Sequence, residues 1–352
     1  MNWVDFYPTL LVHEGLNQTG GSILKFFVRT IIAMCATALS FAAAMAAPAC
    51  KVHPQFTAVD LSQPVTTITT AGGKSGVEAF KSIGIKTIAR YYDWADGETT
   101  CKTLFPKESD AIIKAGISII SIFQHENSDP ETFFNKSRGA KDAHEALKLA
   151  AANGQPPGSA IYFAVDGVDQ TVKDAVFEHS LHKGGAVPPS RRKKLLRADP
   201  SYRKHFKFYE RFRTYHRRAF GKQAASIQAS DMLPHVDQYF REVNRIMKAD
   251  GRYRVGGYGS GMVCNHLLGK KLVNFCWLAM SSGWPQSKEF QASGRWSMVQ
   301  QQTTFCKGWQ FNRQERARFD FNRIKSGDVG QWNKKGKMIP APGLPAKCKP
   351  SW

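Results

Sequence analysis

From residue 56 onward, short apolar runs rich in β-branched residues alternate with stretches of helical spacing, and there are eight such runs. They are 56–62, 87–93, 117–124, 160–166, 254–260, 274–280, 296–301 and 317–324. Helical spacing falls near 75–83, 106–115, 131–153, 232–250, 261–268 and 286–292. In 232–250, Leu233, Val236, Tyr239, Phe240, Val243, Ile246 and Met247 recur on one face. Alternation of this kind builds a parallel sheet wrapped by helices. Eight strands in βα order predict an α/β protein closed as a (β/α)8 TIM barrel rather than an open sheet. Such a domain needs roughly 250 residues, so a chain of 352 carries terminal segments or insertions as well.

Two connections break the rhythm, at about 169–230 and 302–316. Within the first lies an excursion, 183–222, with fourteen Lys or Arg against only Asp199 and Glu210. Its net +12 is more than half of the +21 carried by the whole chain. Gly184-Gly185 and Pro188-Pro189 mark its entry as a linker. Tyr202, Phe206, Tyr209, Phe212 and Tyr215 or His216 fit one aromatic helical stripe. The expectation is a basic helical insertion after strand four. It either docks on the barrel or adheres to an anionic envelope polymer.

Residues 25–47 read as a cleaved Sec-type export signal: Lys25 and Arg29, an apolar run from Ile31 to Ala44, then Ala44-Met45-Ala46. The run is short for a membrane span. The expected organisation is therefore 1–47 as extension and signal, 48–326 as barrel and 327–352 as an irregular tail, in a secreted or periplasmic protein. Export permits disulfides among Cys50, Cys101, Cys264, Cys276, Cys306 and Cys348. Sequence leaves the pairing open, although Cys50 and Cys348 flank the barrel and are expected to lie near each other. No ligand spacing for a metal and no phosphate-binding glycine loop is evident, so neither metal nor cofactor is expected. Nucleic acid is not expected as a ligand.

Catalytic groups in a barrel of this kind project from the C-terminal strand ends. Those ends carry Asp60, Asp93, Glu126, Asp166 and Asp320. Any one of them could cap a helix or pair with Arg90 or Arg323. Clustered carboxylates, however, raise one another's pKa, as acid–base chemistry on a glycosidic bond requires. Tyr91, Trp94, Tyr258, Trp277 and Trp284 lie at or near the same ends, where flat rings stack on sugars or fill the core.

An ordered series of segments also carries a resemblance. Phe56 to Asp60, Ala89 to Tyr92, Ile161 to Asp166, Val255 to Cys264, Trp277 to Ala279 and Ala292 to Gln300 together resemble the bacterial glycoside-hydrolase-like domain of unknown function. That family is similar in fold to the family 25 lysozymes. The resemblance implies an active-site Asp at Asp60, an Asp at Asp166, and an Asp-x-Asn on the last strand, met by Asp320 and Asn322. It also implies a Glu two residues after Asp166, where this chain has Val168. Asp169 falls out of the strand alternation; it or Glu126 is left to replace the missing acid.

The expected function is a possible glycoside hydrolase, muramidase-like, acting on an envelope glycan such as peptidoglycan. Asp60, Asp166, Asp320, Glu126 and Asp169 are its candidate catalytic groups. Tyr91, Asp93, Trp94, Tyr258, Trp277, Trp284 and Asn322 are its candidate contacts to sugar. A catalytically silent glycan-binding barrel and a polyanion-binding carrier are the alternatives.

Overall fold

The computed structural model describes residues 50, 52–94, 102–127, 130–166, 229–281, 284–304, 306, 308–311, 315–325 and 327–339. They belong to one compact unit that begins at Ala47. In chain order the strands are β1 Ala58–Asp60, β2 Ile68–Thr70, β3 Thr87–Tyr92, β4 Ser118–Phe123, β5 Ala160–Ala164 and β6 Arg254–Gly259. They continue as β7 Phe275–Ala279, β8 Met298–Thr304, β9 Trp309–Phe311, β10 Glu315–Arg316 and β11 Phe319–Ile324. The helices are α1 Gly76–Ser82, α2 Pro106–Lys114, α3 Pro130–Phe134, α4 Arg138–Ala152, α5 Leu233–Asp250, α6 Gly261–Gly269 and α7 Ser287–Ala292.

All eight apolar runs become the staves of one closed barrel, ordered β1-β11-β8-β7-β6-β5-β4-β3. Each central strand is buried along nearly its whole length. Side chains of one parity fill the barrel, and those of the other face the helices. The interior holds Ile120, Ile122, Tyr162, Tyr258, Trp277 and Met298. Gly256 makes room for this filling, because a Cβ there would sit 2.5 Å from the Tyr162 ring.

One expectation needs correction. Seven strands run parallel, but β11 is antiparallel to both neighbours, β1 and β8. The periodicity of a strand carries no direction, so sequence could not show this. The second break in rhythm, after β8, supplies a small antiparallel sheet ordered β10-β9-β2 and turns the chain back. The stretch 131–153 also divides into α3 and α4. The basic segment 183–222 lies outside the described residues, as do 1–49, where the export signal is expected, and 340–352.

Residues 329–332 close the floor of the barrel, at the N-terminal ends of the parallel strands. Ile119 and Trp332 exchange backbone hydrogen bonds of 2.7 and 2.9 Å. Trp332 Nε1 donates to Ser121 Oγ, and Tyr162 OH donates to the Val329 carbonyl. The first part of the tail is thus irregular but packed, with Trp332 2% exposed.

Two disulfides occur among the described residues. Cys264 of α6 pairs with Cys276 of β7, and Cys50 pairs with Cys306. The second gives Cys50 a partner other than the expected Cys348, which lies outside the described residues. The excursion after β8 carries Cys306 to Cys50, an approach that adjacency of the first and last strands did not reveal. No helix among the described residues is long and apolar enough to cross a membrane.

Candidate functional site

The reversal of β11 assembles the site. On a parallel strand, Asp320 would lie at the floor; reversed, it stands directly opposite Asp60 at the rim. Opposed Cβ atoms in an antiparallel pair lie roughly 4.5–5.5 Å apart, and like charges there repel. Donors converge on the pair. Gln300 Nε2 donates to Asp60 Oδ1 and Oδ2 (3.0 and 3.1 Å) and to Asp320 Oδ2 (3.1 Å). Asn322 Nδ2 donates to Asp60 Oδ1 at 2.6 Å, and Tyr91 OH donates to Oδ2 at 3.1 Å. Asp60 is nonetheless 2% exposed. Burial first, then the Asp320 charge, push its carboxyl from 3.8 up to about 7, against the pull of those donors.

Further bonds set these donors in place. Tyr258 OH donates to Gln300 Oε1 at 2.7 Å, and Trp277 Nε1 donates to Asn322 Oδ1 at 2.8 Å. Burial holds the Tyr91 and Tyr258 hydroxyls well above the usual phenol range, so both stay donors at neutral pH.

A second carboxylate stands on another stave. Asp166 lies two residues beyond the inward Ala164 of β5 and accepts from Gln124 Nε2 at 2.8 Å. Gln124 Oε1 accepts in turn from Lys102 Nζ at 2.8 Å, and that ammonium sits 4.5 Å over the Tyr91 ring. Burial raises the Asp166 carboxyl, while the Lys102 charge and the Gln124 bond oppose the rise. Burial lowers the Lys102 ammonium, against the pull of Asp93 and Asp166.

Asp166 and Asp320 open into one cavity of about 560 Å3, walled by Gln124, Gln300, Tyr91, Tyr258 and Trp284. That volume is in the range of small-ligand sites, roughly 300–1,000 Å3. A pocket with carboxylates in differing environments and aromatic walls can stack a sugar ring and move a proton to or from it.

Of the sequence-predicted residues, Asp166, Asp320, Tyr91, Tyr258 and Trp284 line this cavity. Asp60, Asn322 and Trp277 lie behind it in one hydrogen-bonded chain. Three others serve elsewhere. The Glu126 side chain is 65% exposed and lies 3.5 Å from Arg138, because its residue turns out at φ 54°. Asp93 is buried with Oδ1 2.7 Å from His125 Nδ1. Trp94 stacks on that imidazole at 5.4 Å, with the Arg138 guanidinium 5.5 Å from its ring. These rings and charges occupy one another instead of facing the cavity. Val168 and Asp169 lie outside the described residues. Among the described residues, no group of three His, Cys, Asp or Glu is placed to hold a metal ion.

Sequence reasoning missed Gln124, Gln300 and Lys102 as site residues. The two glutamines were within reach, since each lies two residues past an interior side chain, Ile122 or Met298. Nothing in the local pattern marks Lys102.

Residues 78–181 match the family model described as the Rv2525c-like, glycoside hydrolase-like domain. A stretch of 89 residues is 38% identical to the uncharacterized protein FadG of Bacillus subtilis, covering 25% of this chain and 15% of that one. Among solved structures, the chain is similar to the Mycobacterium tuberculosis Tat-secreted protein Rv2525c in complex with L-tartrate. There the TM-score is 0.47 at 15% identity, covering 79% of this chain and 99% of the other. It also resembles the modular autolysin LytC of Streptococcus pneumoniae in complex with a synthetic peptidoglycan ligand. That likeness has a TM-score of 0.35 at 10% identity, covering 75% of this chain and 46% of the other.

Proposed function

We propose that this glycoside hydrolase-like barrel is an exported protein that takes an envelope glycan, such as peptidoglycan, into the carboxylate cavity at its rim. The observation that carries the reading is the junction of Asp166 and Asp320 in one cavity of about 560 Å3 walled by Tyr91, Tyr258 and Trp284. Rings of this kind offer flat apolar faces to pyranoses, and the carboxylates and amides offer partners to hydroxyls. Export is supported by the signal-like pattern over residues 25–47 and by the two disulfides, which persist in oxidising compartments.

Hydrolysis divides between the two carboxylate systems. The Asp60–Asp320 pair holds a proton near neutral pH, Asp320 being the member that meets the ligand and Asp60 the buried electrostatic partner. It acts as the acid, protonating the leaving oxygen. Asp166, faced by a cation, acts as the base or nucleophile. The family resemblance gives the second reading a specific ground: Val168 stands where the lysozymes carry their catalytic Glu. In that reading the cavity binds glycan without cleaving it.

The test is binding of soluble peptidoglycan fragments and of chitin oligosaccharides by calorimetry, with reducing-end release measured alongside. Binding abolished by Trp284→Ala, with release abolished by Asp166→Asn, supports the hydrolase. Binding with no release supports the silent barrel. Absence of binding to either glycan overturns the proposal.

A further inference from the structure

The cavity contains two amide relays of the same design with different ends. In one, Tyr258 OH donates to Gln300 Oε1, and the Gln300 amide donates to Asp60 and Asp320. In the other, Lys102 Nζ donates to Gln124 Oε1, and the Gln124 amide donates to Asp166. The first begins at a neutral phenol, the second at an ammonium. A phenol both donates and accepts, so in the first relay it is the carboxylates that orient the Gln300 amide. An ammonium has no acceptor, so it holds the Gln124 oxygen toward itself and turns the NH2 group toward Asp166.

We propose that Lys102, acting through the Gln124 amide, is a positioning residue that holds Asp166 in its charged, pocket-facing form. The amide NH2 needs an acceptor at Asp166 Oδ2, which a carboxylate supplies on either oxygen. Lys102 adds a counter-charge beside Asp166, whereas the side chains that donate to Asp60, those of Gln300, Asn322 and Tyr91, are neutral. The carboxylates are thereby driven apart in proton affinity, the condition for one cavity to offer an acid and a base at one pH. Among the described residues, the other ionisable groups that bear on Asp166 are Tyr91 of β3 and Tyr258 of β6, with Asp60 and Asp320 of β1 and β11 also in the site. None of these brings positive charge.

The inference deepens the glycan reading by assigning Asp166 its role, but its test uses no ligand. In the full-length exported protein with Asp labelled at Cγ, carbon NMR follows each carboxyl through its titration. Lys102→Met should raise the Asp166 midpoint by on the order of one unit and move Asp60, whose charge bears on Lys102 more weakly, by less. Lys102→Arg should restore the Asp166 value. Gln124→Leu, which keeps the charge and removes the relay, should raise the midpoint by a smaller amount. Near-UV circular dichroism identifies variants that retain native packing. If Lys102→Met does not pack, the arginine and Gln124→Leu titrations decide alone. An Asp166 midpoint unmoved in packed Lys102→Met or Gln124→Leu protein, or an equal shift at Asp60, would overturn the proposal even where glycan binding is intact.

Discussion

Asp60 and Asp320 face each other across the antiparallel β1–β11 pair and accept hydrogen bonds from the same Gln300 amide. Repulsion between them is written into the register of the barrel. Asp320→Asn should keep an oxygen for Gln300 Nε2 while removing the charge. The Asp60 midpoint should then fall from about 7, stopping short of the ordinary 3.8 because burial persists. Carbon NMR of the Asp60 carboxyl reads this directly. A midpoint unmoved by the substitution would separate the two carboxylates electrically.

The same coupling fixes the sign of a pH effect on stability. Between 3.8 and about 7 the folded chain binds a proton at Asp60 that the unfolded chain has lost. Stability therefore falls as pH rises through that window. The raised Asp166 carboxyl adds a contribution of the same sign. The shift at Asp60 corresponds to at most about 4 kcal/mol by pH 8. Denaturant unfolding from pH 5 to 8 should show the decline, and Asp320→Asn should flatten it. Equal slopes in the two proteins would remove Asp60 as the cause.

The Cys264–Cys276 bridge joins α6 to β7 across a sequence separation of 12. Both residues are fully buried, and the strand carries Trp277 at the foot of the site. Replacing both by Ala should cost about 3 kcal/mol, the effect expected for a loop of this size. Urea midpoints of the oxidised protein and the double variant would measure it. An unchanged midpoint would make the bridge incidental to stability.

For the basic segment, we propose adhesion of 183–222 to anionic envelope polymer, on the strength of its net +12. Sedimentation with purified envelope should weaken steeply as salt rises, since exposed charges are screened beyond about 10 Å at 0.1 M. Deleting 183–222 should abolish it. Sedimentation that survives the deletion would move the binding to the rim cavity.

The strands were legible in the sequence because staves buried on both faces must be apolar and short, as in 117–124 and 254–260. Asp166 and Tyr258 were legible for a related reason, lying at the ends of such runs. What the pattern could not contain was direction. Asp320 was placed at the rim for the wrong reason, since it begins its strand instead of ending it. Glu126 and Asp93 stand apart from the cavity lining because a rim position does not say which way a side chain leaves the last strand residue. A left-handed backbone turned one outward, and an imidazole claimed the other. Lys102 was invisible because its meeting with Gln124 depends on tertiary packing.

With seven staves ascending and one descending, β1 departs from the floor of the barrel and β11 returns to it. The chain leaves the last stave at one pole, and the mouth occupies the other. A partner domain or solid support grafted just beyond Ile339 would thus be seated at the antipode of the cavity, on the side where Trp332 is lodged. The topology that brings the two aspartates together also leaves their entrance clear of whatever the chain is tethered to there.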